Sequence, residues 1–284
     1  MRKFFPVKTI IIVFLALFLA VSCVAKETIV PGPVDVTDAK RNKLIGYMLG
    51  KMLPGIHFSD KKLDDELAEA VFDLYIKQLD YQKRYLLESD VEQLKAFTLQ
   101  IDNSLRTGTS ALPKAGYDIL NSRITQVERF VTEIFEAGFD LEIEETYETD
   151  PDKSNYVATL DELREKWRKI IKLQVISRYL DLLEDREKAE DDVKKSDEEL
   201  YEEALEKIEK RNSEFFKRLH KETLQDHYDR FFSSVSRAFD PHTNYMAPAK
   251  KEEFDIHMRG SLEGIGALLR EEDGYIKVVS IVPG

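Results

Sequence analysis

From Thr37 to Phe239, about two hundred residues, apolar side chains recur at helical spacing. That run commits most of the chain to a mainly α fold. Thr37 or Asp38 can cap a first helix through Leu44, Tyr47, Met48 and Met52, with Pro54-Gly55 placed to end it. Ser59 or Asp60 can open the next, whose Leu63, Leu67, Ala70, Val71 and Leu74 lay one stripe against a core. Ser89-x-x-Glu92 reads as a capping box for a helix through Val91, Leu94 and Ile101.

The loop Thr107-Gly108-Thr109-Ser110, with Pro113, separates that helix from another carrying Tyr117, Leu120, Ile124, Val127, Val131 and Ile134, which Gly138 ends. Phe139 to Asn155 is acidic and irregular, a loop. A long helix from about Leu160 to Leu183 should bury Leu163, Trp167, Ile170 and Leu180. Asp185 to Glu199, dense in both charges, reads as an exposed, salt-bridged helix or helix turn. From Asp197 to Phe239, in one helix or two, Phe215, Phe216, Leu219, Leu224, Tyr228, Phe231, Phe232, Val235 and Phe239 form a broad apolar stripe. Such a stripe is core by default; a docking face is the other reading, because aromatic area anchors interfaces.

Composition serves mainly to exclude. The 284 residues suffice for one large or two modest domains, and 43% hydrophobic content supplies a core. A net charge of -12 argues against nucleic acid, whose phosphates need a basic face, and against electrostatic attachment of the chain to anionic lipid.

At the N-terminus, Arg2, Lys3 and Lys8 precede an uncharged apolar run, Thr9 to Val21, and Ser22 stands before Cys23. This is the layout of a secretory signal peptide over residues 1–23. Cys23 is the only cysteine, which excludes an internal disulfide. Its place suits lipidation, as in bacterial lipoproteins, although Ala20 stands where such signals usually carry leucine. An ordinary signal peptide or an uncleaved anchor would leave Cys23 incidental. Residues 24–36, with Pro31-Gly32-Pro33, read as an extended tether.

Catalytic motifs are absent. No Gly-x-Ser-x-Gly, His-Glu-x-x-His or phosphate-loop pattern occurs, and nothing calls for a cofactor or metal. His220 and His227, seven apart on what reads as one helix, stand about 10 Å apart along its axis, too far to share a metal. They read as surface or partly buried side chains. His57 and His257 have no partner suggested by sequence, and His242 reads as part of a tight turn held by Asp240.

The last stretch carries the most specific signal. Asp240-Pro241-His242-Thr243-Asn244-Tyr245 leads through a short polar helix to Ser261-Leu262-Glu263-Gly264-Ile265-Gly266-Ala267, a turn at 271–274, and the strand-like run Tyr275 to Val282. These segments resemble the tail-specific (carboxy-terminal processing) proteases of bacterial envelopes, at the junction of their N-terminal helical domain with a PDZ domain. A fainter match runs from Leu79-Asp80-Tyr81 to Leu86-Leu87-x-Ser89-Asp90-Val91-Glu92.

The resemblance implies a helical domain over 37–240, a connector over 241–258, and over 259–284 the start of an incomplete, β-rich PDZ domain. PDZ domains take a peptide's terminal carboxylate in a glycine-bearing loop, and the peptide pairs with the following strand. The resemblance thereby makes Leu262, Gly264, Ile265, Gly266, Ala267 and Leu268 candidate tail-binding residues; a hairpin with a glycine bulge is the plainer reading. The expected partners are apolar C-terminal tails of envelope proteins, with an adaptor lipoprotein on the helical domain and a membrane reached through the lipid anchor. The family's serine nucleophile and lysine base are expected beyond Gly284, so this chain by itself should be inert, and its PDZ remnant disordered or supported by the helices. A non-catalytic helical lipoprotein, acting as scaffold or decoy, is the rival reading.

Overall fold

A computed structural model of the chain describes residues 36–141, 143–188, 195–259, 266–272 and 275–281. The chain divides into two compact units, Met1–Ala39 and Lys40–Gly284. Of the first, residues 36–39 are described, as the opening turn of a helix. No helix among the described residues is long and apolar enough to cross a membrane.

The helices are α1 (Val36–Ile56), α2 (Asp65–Leu79), α3 (Glu88–Lys95), α4 (Ile101–Thr107), α5 (Leu112–Ala137), α6 (Leu160–Lys188), α7 (Asp197–Leu219), α8 (Leu224–Phe239) and α9 (Pro248–Arg259). A two-stranded antiparallel hairpin, β1 (Ala267–Glu272) and β2 (Tyr275–Ile281), follows. The fold is mainly α, as the periodicity requires.

The core lies where α2 packs on α8 and α5 packs on α6, α7 and α8. The aromatic stripe of the last two helices is its centre: Phe216, Phe231, Phe232 and Phe239 are buried, each stabilising the fold by about 2 kcal/mol through the water it sheds. The docking alternative for that stripe therefore fails. His220 and His227 do not share a helix: His220 is the C-cap of α7 and His227 lies on α8, after a turn in which Thr223 caps α8 by accepting from the Asp226 N–H.

Helix α1 runs through the expected residues and packs by one of its two apolar stripes, and three expectations elsewhere are corrected. In α1, Leu44, Tyr47, Met48 and Met52 are exposed, Leu44 by 58%. The face that packs inward is Ile45, Leu49 and Leu53, with Gly46 and Gly50. A Cβ on Gly50 would stand 2.6 Å from the Leu105 carbonyl oxygen, so only the glycine face of α1 can approach α4 this closely. In α6, Leu180 is 57% exposed, and Leu182 and Val175 are buried instead.

The expected helix through Val91, Leu94 and Ile101 is three pieces, broken by a 3-10 turn at Thr98–Gln100. Its cap is neither Ser89 nor Glu92: the Asp90 carboxylate accepts from the Leu87 N–H at 2.8 Å. The second helix likewise starts later than Ser59, capped by Asp64, which accepts from the Leu67 N–H at 3.1 Å.

The acidic segment after Gly138 is irregular, as expected, yet it is pinned. Lys172, 4% exposed on α6, donates to the Ile143 carbonyl at 2.9 Å and to Glu145 Oε1 at 2.7 Å. Arg168 closes on the other Glu145 oxygen. Of the charged 185–199 stretch, residues 189–194 lie outside the described residues; in its described flanks Arg186 pairs with Asp197 at 2.6 Å and Lys195 with Glu203 at 2.7 Å.

Candidate functional site

The site begins where α8 ends. Phe239 is the last core residue of that helix, and Asp240 leaves it in an extended conformation. Asp240 Oδ1 accepts the His242 N–H at 2.8 Å, and its carbonyl accepts the Thr243 N–H at 3.0 Å. A carboxylate that bonds two residues ahead makes a tight turn without glycine. The His242 ring itself is exposed.

That turn delivers Thr243 to His57, in the loop between α1 and α2. His57 Nε2 and Thr243 Oγ1 are 2.9 Å apart. His57 Nδ1 accepts the Ser59 N–H at 3.1 Å, with Ser59 Oγ at 2.7 Å. A nitrogen that accepts a backbone N–H carries no proton, so this network assigns the proton to Nε2, which donates to Thr243. The ring also stacks on Phe58 and meets Phe239 edge-on, its centroid 5.8 Å away. Lys61 Nζ donates to the Ala238 carbonyl at 2.7 Å, a cation on the carbonyl end of α8. Farther along, the Tyr245 ring meets Phe232 at 5.4 Å and Ala247 is buried. The connector is thus strapped to the helical core before α9 begins.

Beside the strap lies a cavity of about 360 Å³, lined by Gln78, Arg218, Glu222, Arg230, Tyr245 and Lys250 among others. Glu222 bonds Arg230 at 2.6 Å, and His227, fully buried, stands 3.2 Å from Arg230 and 3.7 Å from Glu222. The contacts with His227 and Arg230 hold the Glu222 carboxyl down at about 2. So low a value makes a structural ion pair and a poor proton acceptor. Burial of His227 corrects its reading as a surface or partly buried side chain; His220, bonded to Glu128 at 2.7 Å, stays partly exposed.

The faint upstream match proves to be scaffolding. Asp80 is buried, and its carboxylate accepts the N–H groups of Arg84, Tyr85 and Leu86, each at 2.9 Å. Burial pushes its pKa up against those three bonds. Asp90 receives Arg123 in a two-pronged pair at 2.7 and 2.8 Å. Trp167 Nε1 donates to the Arg84 carbonyl at 2.5 Å, and Leu87 pairs with Val157. Single aspartates in so acidic a chain gave no warning of these roles.

Of the candidate tail-binding residues, Gly266, Ala267 and Leu268 are described; Leu262, Gly264 and Ile265 lie outside the described residues, as do Cys23, the signal segment and the tether up to residue 35. Gly266 has φ 66°, the left-handed region that glycine occupies without strain. Ala267 and Leu268 open β1 opposite Ile281 and Ser280, and the register shifts between Leu268 and Leu269. Leu268, Leu269, Ile276, Val278, Val279 and Ile281 are all exposed, so the hairpin presents apolar side chains on both faces.

Residues 49–249 match the model of the family described as "Tail specific protease N-terminal domain". The chain belongs to that family. It is 28% identical over 229 residues to the Tail-specific protease of Haemophilus influenzae (strain ATCC 51907 / DSM 11121 / KW20 / Rd), an alignment covering 80% of this chain and 31% of the relative. The chain therefore spans about a third of the length of the curated relative it matches. His57, Asp80, Thr243 and Tyr245 fall within the matched domain; the hairpin lies past its end.

Proposed function

We propose that the chain is the N-terminal part of a tail-specific serine endopeptidase of the bacterial envelope, exported by its N-terminal signal and anchored by lipid at Cys23. The helical unit holds a PDZ domain that begins at residue 259 and includes the hairpin, and that domain receives apolar C-terminal tails of envelope proteins. Leu262, Gly264, Ile265, Gly266, Ala267 and Leu268 form the carboxylate loop and the strand beside it. The helical domain also offers a dock for an adaptor lipoprotein. No residue of this chain is assigned the bond-breaking chemistry.

The observation that carries this reading is Gly266. Its φ of 66° turns the backbone at the mouth of β1, where a carboxylate loop must present its N–H groups. The test is binding of a labelled peptide with an apolar C-terminal residue, as free acid and as amide, to the full-length native protein. The acid should bind at least about tenfold more tightly, since the amide removes the charge the loop receives. Gly266→Val should erase the difference. Equal binding of acid and amide to the parent protein would overturn the assignment and favour a non-catalytic scaffold.

A further inference from the structure

Helix α1 is apolar on two faces, and only one is covered. Ile45, Leu49 and Leu53 pack on the core, while Leu44, Tyr47, Met48 and Met52 stay exposed. The open stripe is punctuated by exposed lysines, Lys40, Lys43 and Lys51, the last with its ammonium 5.7 Å from the Tyr47 ring centroid. Along α1 four basic residues stand against one acidic residue, Asp38, in a chain whose net charge is -12. A helix that is hydrophobic all round is normally covered all round. The covering here must also be acidic.

We propose that the exposed face of α1 rests on the surface of an anionic phospholipid bilayer. Lysines interleaved with Leu, Met and Tyr suit that boundary: the apolar side chains enter the acyl margin, and the lysine stems reach back to the phosphates. A second copy of this chain is a poor occupant, because a two-fold pairing would set the lysine-bearing stripe against itself. Position in the chain agrees: residues 24–35 separate Cys23 from α1, a reach of at most about 40 Å fully extended. Whole-chain charge opposes lipid attachment, but screening confines each charge to about 8 Å in physiological salt, so the local sign of α1 decides the contact. The proposal takes only the presence of a bilayer from the envelope reading. It does not need Cys23 to be acylated.

The test uses the protein from Val24 onward, which has neither signal nor acyl chain, sedimented with vesicles. One set is pure phosphatidylcholine; the other contains about three parts in ten of phosphatidylglycerol, enough for a strong surface potential. The protein should partition at least about tenfold more strongly onto the anionic vesicles, and this excess should vanish near 0.5 M salt (an approximate figure). K40E/K43E/K51E should abolish the preference, and L44S/M48S should weaken binding to both sets, each variant keeping the parent melting temperature because the sites are exposed. Equal binding to both vesicle types, or a preference that survives lysine reversal, would overturn the proposal. So would a protein that ignores vesicles but holds an acidic protein through these residues. Failure of lipidation at Cys23, read separately by mass spectrometry, would leave the proposal standing.

Discussion

His57 donates from Nε2 to Thr243 Oγ1 at 2.9 Å across 186 residues of chain, tying the loop after α1 to the connector after α8. The consequence is mechanical. The connector as far as Ala247 is held on the helical domain, because it cannot leave without breaking this bond and parting the Tyr245 ring from Phe232.

Thr243→Val should therefore loosen the connector more than it destabilises the domain. Losing one partly buried hydrogen bond costs about 1 kcal/mol. Limited proteolysis should show faster cleavage between residues 240 and 248 while the melting temperature drops by only a few degrees. Unchanged cleavage would mean that the strap is held by apolar contacts alone.

Asp80 should be far less tolerant. Its carboxylate is the sole acceptor identified for three backbone N–H groups of the loop at 84–86. Asp80→Ala leaves those donors without their partner, at a cost of about 3 kcal/mol or more. Hydrogen exchange should show lost protection at Arg84, Tyr85 and Leu86 ahead of the rest of the core.

Gly116 and Tyr75 make a paired prediction. A Cβ on Gly116 would stand 2.2 Å from the Tyr75 hydroxyl oxygen, which is buried and has no hydrogen-bond partner among the described residues. Gly116→Ala should destabilise by about 2 kcal/mol through this overlap. Tyr75→Phe removes an unsatisfied hydroxyl and should be neutral or stabilising. The double variant should recover most of the loss, which a double-mutant cycle on melting data would read directly.

Acid should unfold the domain through two carboxylates. Glu145, bonded first by Arg168 and then by Lys172, is held at about 2 against an ordinary 4.5, and Glu222 lies as low beside His227 and Arg230. A carboxyl with a depressed folded pKa contributes stability that is complete above its ordinary value and lost as pH falls toward the folded one. Melting temperature should hold above pH 4.5 and decline toward pH 2. Glu145→Gln should flatten that decline, yet lower stability at pH 7, because Lys172 and Arg168 lose the carboxylate they both bond.

How much was legible in the sequence depended on how local the cause was. The aromatic stripe, the Gly108 and Gly138 helix ends and the polar helix before the hairpin follow from spacing and backbone chemistry within a few residues. In helix α1 periodicity gives the helix but not its inward face, because two stripes, Leu44-Met48-Met52 and Ile45-Leu49-Leu53, have the same spacing. Only the glycines beside the second stripe decide between them, through the close passage of α4. Ser89-x-x-Glu92 satisfied the capping pattern, but Asp90 won, since it caps Leu87 and pairs with Arg123 at once. The His57–Thr243 bond was invisible, because nothing local to either residue names the other.

The most direct test of the central claim is the intact mass of the native polypeptide, detected in its source cells with an antibody raised against α5 and α6. If the chain is the N-terminal part of a tail-specific protease, the antibody should find a species well above 33.0 kDa, about two and a half times that size if the relative's proportions hold. A single species near 33 kDa, with nothing larger, would contradict the protease reading and leave a helical scaffold in its place.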